Sequence, residues 1–355
     1  MTDRLVYKIH NVGVFLGATR SGRPPEVAET LQRQLGGFES ADSQGVEYRI
    51  VIADYDQVET ENGPSLVAPG YALSQDGLFI DQREKLAFRH AGNTLFVWAA
   101  RRSPLAVTYL LQILLLPQGR TLVHAAGVSM AGRGLLFPAL GGVGKTALVA
   151  RLLERPDIKL LGDDYVVLGT DGALRGLPVP FTLYPYHRAL FPEFFRSASL
   201  RILPGSLPFR AARRALDALG LWRTIEPRLP VEYAVVPARR LYPPARLESS
   251  PVQVHAVYAM QRVRGLERMR VRPATVDEVS TFAGNVLIYE WHPFLTMLAA
   301  QCTLSGVALS PYLQQVRGIV ADGLRRAVRL GVIELPLHLT AAEVGTAVAG
   351  VSLAD

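Results

Sequence analysis

The stretch LLFPALGGVGKTALVARLL, residues 135–153, carries three glycines and a lysine between two apolar segments. We interpret residues 135–138 as a short strand, and we predict a helix that begins near Thr146 and is broken by Pro156 and Asp157. Glycines without a Cβ atom let backbone N–H groups turn inward, and the amino end of a helix adds positive potential. Residues 139–146 therefore form a predicted phosphate-binding loop.

The residue types in this loop fit the contacts that a bound nucleotide needs. Lys145 would reach the β- and γ-phosphates, and the Thr146 hydroxyl would ligate Mg²⁺. Only four of the 38 Lys and Arg residues are lysines, which makes a chance lysine at this position less expected. A glycine-rich turn that binds no ligand remains the alternative. The residues predicted to contact the nucleotide are Gly141, Gly142, Val143, Gly144, Lys145, Thr146 and Ala147.

Two adjacent acids, Asp163 and Asp164, follow the next predicted strand, residues 158–161. Phosphoryl transfer needs a second acid to organise magnesium and a group that takes the proton of the attacking hydroxyl. A parallel sheet would place this strand end beside the loop, so the two carboxylates are candidates for both tasks. Their alternative is a turn and helix-cap pair.

His124 lies in the strand predicted before the loop, residues 121–130, and could reach the same edge of the sheet. A lone histidine among apolar residues is more often a core group, so spacing alone favours a structural role for it.

The order of predicted elements indicates an α/β protein, α+β overall. Because 355 residues exceed what one compact core usually organises, we expect either two structural units or one large core with an appended lobe. Residues 1–103 are predicted to form a β-rich N-terminal lobe with one helix between Pro25 and Leu35. Residues 104–290 would form the core around the loop, and residues 291–355 a helical C-terminal segment that packs on it.

Composition narrows the class of protein. The single cysteine, Cys302, excludes a disulfide or a cysteine-rich metal site within one chain. The longest apolar run, from Pro104 to Pro117, is too short to span a bilayer, and residues 1–17 lack the pattern of a secretory signal. We therefore expect a cytoplasmic protein with no membrane partner.

Basic residues are concentrated between positions 188 and 272, where sixteen arginines accompany six acids. They are either ordinary surface charge or a basic face for an anionic substrate or nucleic acid. No zinc-finger spacing, aromatic RNA-binding signature or run of more than two adjacent basic residues is present, which makes nucleic acid an unlikely partner.

Three segments in order, VHAAGVSMAGRGLLF, ALGGVGKTAL and LLGDDYVVL, resemble the catalytic domain of HPr kinase/phosphorylase and of HPr kinase-related proteins. That group shares a P-loop fold with phosphoenolpyruvate carboxykinases. The resemblance covers about residues 104–185. It implies that Lys145 and the loop bind nucleotide phosphates, that Thr146 and Asp164 hold the metal, and that Asp163 is the general base. It also favours a catalytic role for His124.

The chain departs from the family pattern at two places. Ala139 and Gly141 stand where the family's loop has glycine and serine, and Ala173 stands where an acidic residue precedes Arg-Gly. These departures argue against HPr itself as the phosphate acceptor.

The expected activity is an ATP- and Mg²⁺-dependent kinase that phosphorylates a hydroxyl of a small molecule or peptide, with the N-terminal lobe helping to select that acceptor. The sequence leaves open whether the protein forms a homo-oligomer. Two other classes stay open: a nucleotide-binding regulator or slow ATPase without an acceptor, and, less favoured, a nucleic-acid-binding ATPase.

Overall fold

The computed structural model describes residues 4–17, 27–35, 38–58, 64–100, 108–197 and 234–352. Within these ranges the protein is a mixed α/β structure with two eight-stranded sheets and a small two-stranded sheet. A helix predicted at residues 210–221 lies outside the described residues. No helix in the described ranges is both long enough and apolar enough to cross a bilayer.

The described part of the chain contains nine α-helices, three of which follow one another between residues 276 and 324. They are α1 (Ala28–Leu35), α2 (Thr108–Leu115), α3 (Lys145–Leu152), α4 (Pro192–Ser197), α5 (Ala238–Leu241), α6 (Val276–Glu290), α7 (His292–Ser305), α8 (Ser310–Leu324) and α9 (Ala341–Ser352). Short 3-10 turns occupy Tyr55–Gln57, Leu116–Gln118, Pro185–Ala189 and Pro244–Arg246.

The first sheet is built entirely from the N-terminal hundred residues. Its strands are β1 (Arg4–Ile9), β2 (Val12–Leu16), β3 (Tyr48–Asp54), β4 (Pro64–Ala68), β5 (Tyr71–Ser74), β6 (Phe79–Asp81), β7 (Leu86–Ala91) and β8 (Thr94–Ala99), in the order β1-β2-β3-β8-β7-β6-β5-β4. Only the β2–β3 and β3–β8 pairs are parallel. Helix α1 buries the predicted stripe of Val27, Leu31 and Leu35, because these residues recur every fourth position.

One hydrophobic core joins this sheet to the helices around it. The predicted helix within residues 104–117 is α2, and its Leu110, Leu111, Leu114 and Leu115 are fully buried in that core. Trp291 and Phe294, at the start of α7, belong to the same core. The C-terminal helix α7 therefore packs against the N-terminal sheet, where it contacts β4 and β5.

The second sheet holds the strands on both sides of the glycine loop. Its strands are β9 (Arg120–Met130), β10 (Arg133–Pro138), β11 (Ile158–Gly162), β12 (Tyr165–Gly169), β13 (Ala173–Gly176), β16 (Val252–Val263), β17 (Arg270–Pro273) and β18 (Arg329–Pro336). The small sheet pairs β14 (Phe181–Leu183) with β15 (Ala234–Val236).

Strand β9 lies between β10 and β11 and runs antiparallel to both. The two outer strands are therefore parallel to each other and end at the same edge of the sheet. In register, Pro138 of β10 opposes Ala125 of β9, and Gly162 of β11 opposes Gly127. The ends of β10 and β11 are close together, as predicted, although the antiparallel strand β9 lies between them.

The end of the chain is less helical than the sequence predicted. Residues 291–355 are predicted to form a helical segment, but α8 ends at Leu324 and the strand β18 begins at Arg329. Strand β18 pairs in parallel with β16 over its whole length, and its central side chains are buried. An apolar run such as this one fits a buried strand as well as a buried helix, which explains the wrong prediction.

Helix α9 packs closely against the loop and against α3. A Cβ atom at Gly144 would lie 2.7 Å from Val344 Cγ1, and one at Gly345 would lie 2.6 Å from the carbonyl oxygen of Ala147. Because these two glycines have no side chains, α9 can approach α3 and the loop closely and pack against both.

We expect Gly345→Ala to lower the free energy of unfolding by about 1–3 kcal/mol, because the new methyl group must displace backbone rather than a flexible side chain. Urea unfolding measures the change. Gly350→Ala is the matched control: it lies on the same helix, and a Cβ atom there meets nothing within 4 Å. The control should leave stability unchanged or raise it by up to about 1 kcal/mol. Equal effects of both changes would contradict the close packing of α9 on α3.

Candidate functional site

A cavity of about 800 Å³ opens where β10 and β11 end. The predicted loop residues Gly141, Gly142, Gly144, Lys145 and Thr146 line it, and so do Asp163, Asp164 and His124. The structure thus brings all the sequence-predicted catalytic residues to one place. Val143 and Ala147 are buried away from the cavity, so their side chains belong to the core.

The loop has the backbone conformation that its glycines permit. Gly142 has φ of 76° and Gly144 has φ of 122°, both in the region that side-chain-bearing residues rarely adopt. Helix α3 follows directly with Lys145, and its N-cap is Gly144. The loop therefore presents backbone N–H groups and a helix amino end to the cavity, an arrangement that favours anions.

Lys145 is buried and satisfied by neutral acceptors. Its Nζ donates to the carbonyl oxygens of Ala139 at 2.9 Å and Leu140 at 3.2 Å, and it lies 2.9 Å from His124 Nε2. Burial lowers the pKa of Lys145, and the nearby Asp164, Asp163 and Glu290 raise it in part. The ammonium group is held at the mouth of the loop without a hydrogen-bonded acid.

His124 is a neutral imidazole. Burial, and secondarily the charge of Lys145, hold the pKa of His124 well below its usual value. Because Nε2 faces an ammonium donor, the ring proton is assigned to Nδ1, which is buried with no hydrogen-bond partner in the described part of the protein. Tyr165 packs edge-on against the ring, with centroids 5.2 Å apart. His124 lies at the sheet edge because its position on β9 directly precedes the residue opposite Pro138.

Asp163 is tied to the loop by the Thr146 hydroxyl, which donates to Asp163 Oδ2 at 2.7 Å. Its other oxygen, Oδ1, is buried and makes no hydrogen bond within the described residues. Burial, together with the charge of Asp164, raises the pKa of Asp163 to about 7, against lowering effects from Thr146 and Lys145. A carboxyl group with this pKa can exchange a proton near neutral pH.

Asp164 lies beside Asp163 and is partly buried, and burial raises the pKa of Asp164 as well. Two neighbouring carboxyl groups with little contact to water resist ionising together. A cation in the cavity would therefore be attracted to this pair. Oxygen atoms from a hydroxyl and two carboxylates are the ligand type that Mg²⁺ prefers, so the Thr146, Asp163 and Asp164 side chains fit this ion.

Glu290 is a site residue that the sequence did not reveal. It is the last residue of α6, and its Oε1 accepts the N–H of Gly141 at 2.7 Å. The same oxygen lies 3.9 Å from His124 Nε2. The contact joins residues 149 positions apart in the chain, so no local pattern around Glu290 could have predicted it.

The remaining walls of the cavity are aromatic on two sides. Tyr109 and Tyr165 line it near His124, while Tyr184 and Tyr186 line it near β14. The rings of Tyr184 and Tyr186 stack with centroids 5.3 Å apart and planes 6° apart, and Tyr186 is 58% exposed. The start of α9 also lines the cavity, although no residue with a chemical role is predicted in the last sixty residues.

Four of the described arginines between positions 188 and 272 have structural partners. Arg270 and Arg272 pair with Glu334, and Arg246 donates to the carbonyl oxygen of Ile158 at 3.1 Å. Arg262 lines the cavity and donates to the carbonyl oxygen of Leu339 at 2.7 Å. These contacts favour a structural role for the four arginines. Arg262 could in addition face a ligand, because it lines the cavity.

No family model matches this chain, and no curated protein matches it.

Asp163→Asn should remove a pH dependence of stability in protein free of nucleotide and Mg²⁺. The Asp163 carboxyl has a pKa of about 7 when folded and an ordinary value of 3.8, so the folded state keeps a proton that the unfolded state has lost. The stabilisation is complete below the ordinary pKa and is lost as pH rises through the folded value.

Urea unfolding of both proteins between about pH 4 and pH 8 measures this effect. The stability of the wild type minus that of the variant should decline as pH rises across this range. The variant also relieves the repulsion on Asp164, which acts in the same direction. Curves that stay parallel would show that Asp163 titrates in the folded protein as it does in the unfolded chain.

Proposed function

We propose that this protein is an ATP-dependent kinase that transfers the γ-phosphate to a hydroxyl of a small molecule or peptide, on a P-loop core similar to that of HPr kinase. The observation that carries the proposal is the 2.7 Å hydrogen bond from the Thr146 hydroxyl to Asp163. It joins a glycine loop that holds a buried lysine to a carboxyl group whose pKa is about 7.

Each side chain has a role that its surroundings support. The loop amides and Lys145 bind the phosphates, since Lys145 can exchange its two carbonyl acceptors for phosphate oxygens. Asp163 accepts the proton of the attacking hydroxyl, the acceptor oxygen forms the new bond to the γ-phosphorus, and the bond from that phosphorus to ADP breaks. His124, as a neutral ring, can accept a hydrogen bond at Nε2 once Lys145 turns to a phosphate.

Magnesium fits the residues present. Thr146 and Asp164 are the proposed ligands, with Asp163 beside them. In the described ranges no three His, Cys, Asp or Glu side chains are arranged to hold an ion by themselves, so phosphate oxygens would complete the set. When bound, Mg²⁺ neutralises charge on the phosphates.

The cavity offers room for an acceptor beside the phosphates. Its volume of about 800 Å³ lies within the range of small-molecule sites. Tyr109 and Tyr165 form the wall next to His124, where an acceptor would approach Asp163 and Asp164. A cytoplasmic location and a small-molecule or peptide hydroxyl as acceptor belong to this proposal.

The test uses γ-labelled ATP and Mg²⁺ with a metabolite or peptide pool, and compares the wild type with Lys145→Ala and Asp163→Asn. Lys145→Ala should weaken ATP binding roughly tenfold to a hundredfold, the effect of losing a charged hydrogen bond. Asp163→Asn should bind ATP almost normally but transfer phosphate about 10²- to 10⁴-fold more slowly, as expected for loss of a general base.

Lys159→Ala is the matched control, because Lys159 is an exposed lysine on β11 that does not line the cavity. It should leave binding and transfer unchanged. ATP binding that depends on Lys145 but leads to no labelled product would favour the regulator or slow ATPase instead. Absence of ATP binding by the wild type would overturn the proposal.

A further inference from the structure

Glu290 occupies a place in the loop that the proposed reaction does not use. Its carboxylate accepts the N–H of Gly141, one of the loop amides expected to meet a phosphate oxygen. A carboxylate and a phosphate oxygen are both anionic acceptors, so they compete for the same donor. The Glu290 side chain is only about 23% exposed, and it points into the cavity rather than to solvent.

The position of Glu290 is electrostatically unfavourable by itself. It is the final residue of α6, where the helix dipole presents its negative end and disfavours an acid. Asp163 and Asp164 lie in the same cavity, so the acid adds a third carboxylate to an already acidic site. The hydrogen bond to Gly141 and the charge of the nearby Lys145 offset these costs, and a phosphate oxygen at Gly141 would replace the first of these two interactions.

The contacts around His124 indicate which phosphate meets Glu290. Lys145 Nζ lies 2.9 Å from His124 Nε2, and Glu290 Oε1 lies 3.9 Å from the same nitrogen. A P-loop lysine reaches the β- and γ-phosphates, while amides at the helix start hold the phosphates nearer the nucleoside. Glu290 therefore sits at the end of the loop that receives the terminal phosphate.

We propose that Glu290 sets the affinity of the loop for the terminal phosphate of its donor, by holding the Gly141 amide until that phosphate displaces it. This inference rests on the proposed function, since it assumes a nucleoside triphosphate in the loop. A diphosphate that stops short of Gly141 leaves Glu290 in place, so Glu290 weakens ATP binding without weakening ADP binding.

The experiment measures Kd for ATP and for ADP, each with Mg²⁺, by titration calorimetry on the full chain. Glu290→Gln keeps the shape of the side chain and removes its charge. It should bind ATP about tenfold more tightly than the wild type, because a neutral amide oxygen accepts the Gly141 N–H less strongly than a carboxylate and does not repel a phosphate, and it should bind ADP within about twofold of the wild type. Glu290→Asp keeps the negative charge but shortens the side chain, so its affinity for ATP should lie between those of the wild type and Glu290→Gln.

Glu278→Gln is the matched control: it removes the same charge at the other end of α6, where Glu278 pairs with Arg272 outside the cavity. It should leave both affinities unchanged. Thermal unfolding of each variant separates changed affinity from changed folding.

The outcomes separate this inference from the proposed function. If Glu290→Gln binds ATP and ADP as the wild type does, while Lys145→Ala loses ATP, the role of Glu290 is overturned and the nucleotide site stands. Weaker ATP binding by Glu290→Gln would also overturn it, since Glu290 would then assist the phosphate. If the wild type binds neither nucleotide, the proposed function itself fails.

Discussion

The candidate site depends on a constraint of the second sheet: β10 and β11 must end at the same edge of the sheet, although β9 lies between them. Because both strands run antiparallel to β9, the loop after β10 and the acids after β11 leave the sheet at one edge. The Thr146 hydroxyl then spans the gap to Asp163 with one hydrogen bond of 2.7 Å. A shift of one residue in either pairing would turn the side chains of that strand to the other face.

Charge balance within the cavity follows from this geometry. One buried lysine faces three carboxyl groups, and burial raises the pKa of Asp163 and of Asp164 while it lowers the pKa of Lys145. Burial thus pushes Lys145, Asp163 and Asp164 toward their neutral forms. A site in this condition responds strongly to a bound cation or anion, because either one restores the charged forms of its neighbours.

The sequence predicted those parts of the site that depend on local order along the chain. The strand, loop and helix around Lys145, and the acids after β11, are set by glycine spacing and strand ends, and the structure brings them together. Glu290 could not be predicted, because its contact with Gly141 depends on where α6 ends against a distant loop. Strand β18 was missed for a related reason: its partner β16 lies far away in sequence.

The packing of α9 on the loop has a consequence for how the protein is made. Val344 fills the space that a Cβ atom at Gly144 would need, and Gly345 packs against the backbone of Ala147. Both loop-side partners lie some two hundred residues earlier in the chain. A nascent chain that has just emerged from the ribosome as far as β12 already contains the lysine and both acids, but not the helix that packs against the loop. Assembly of the site must therefore wait until α9 has been synthesised, since contacts this distant in sequence form late.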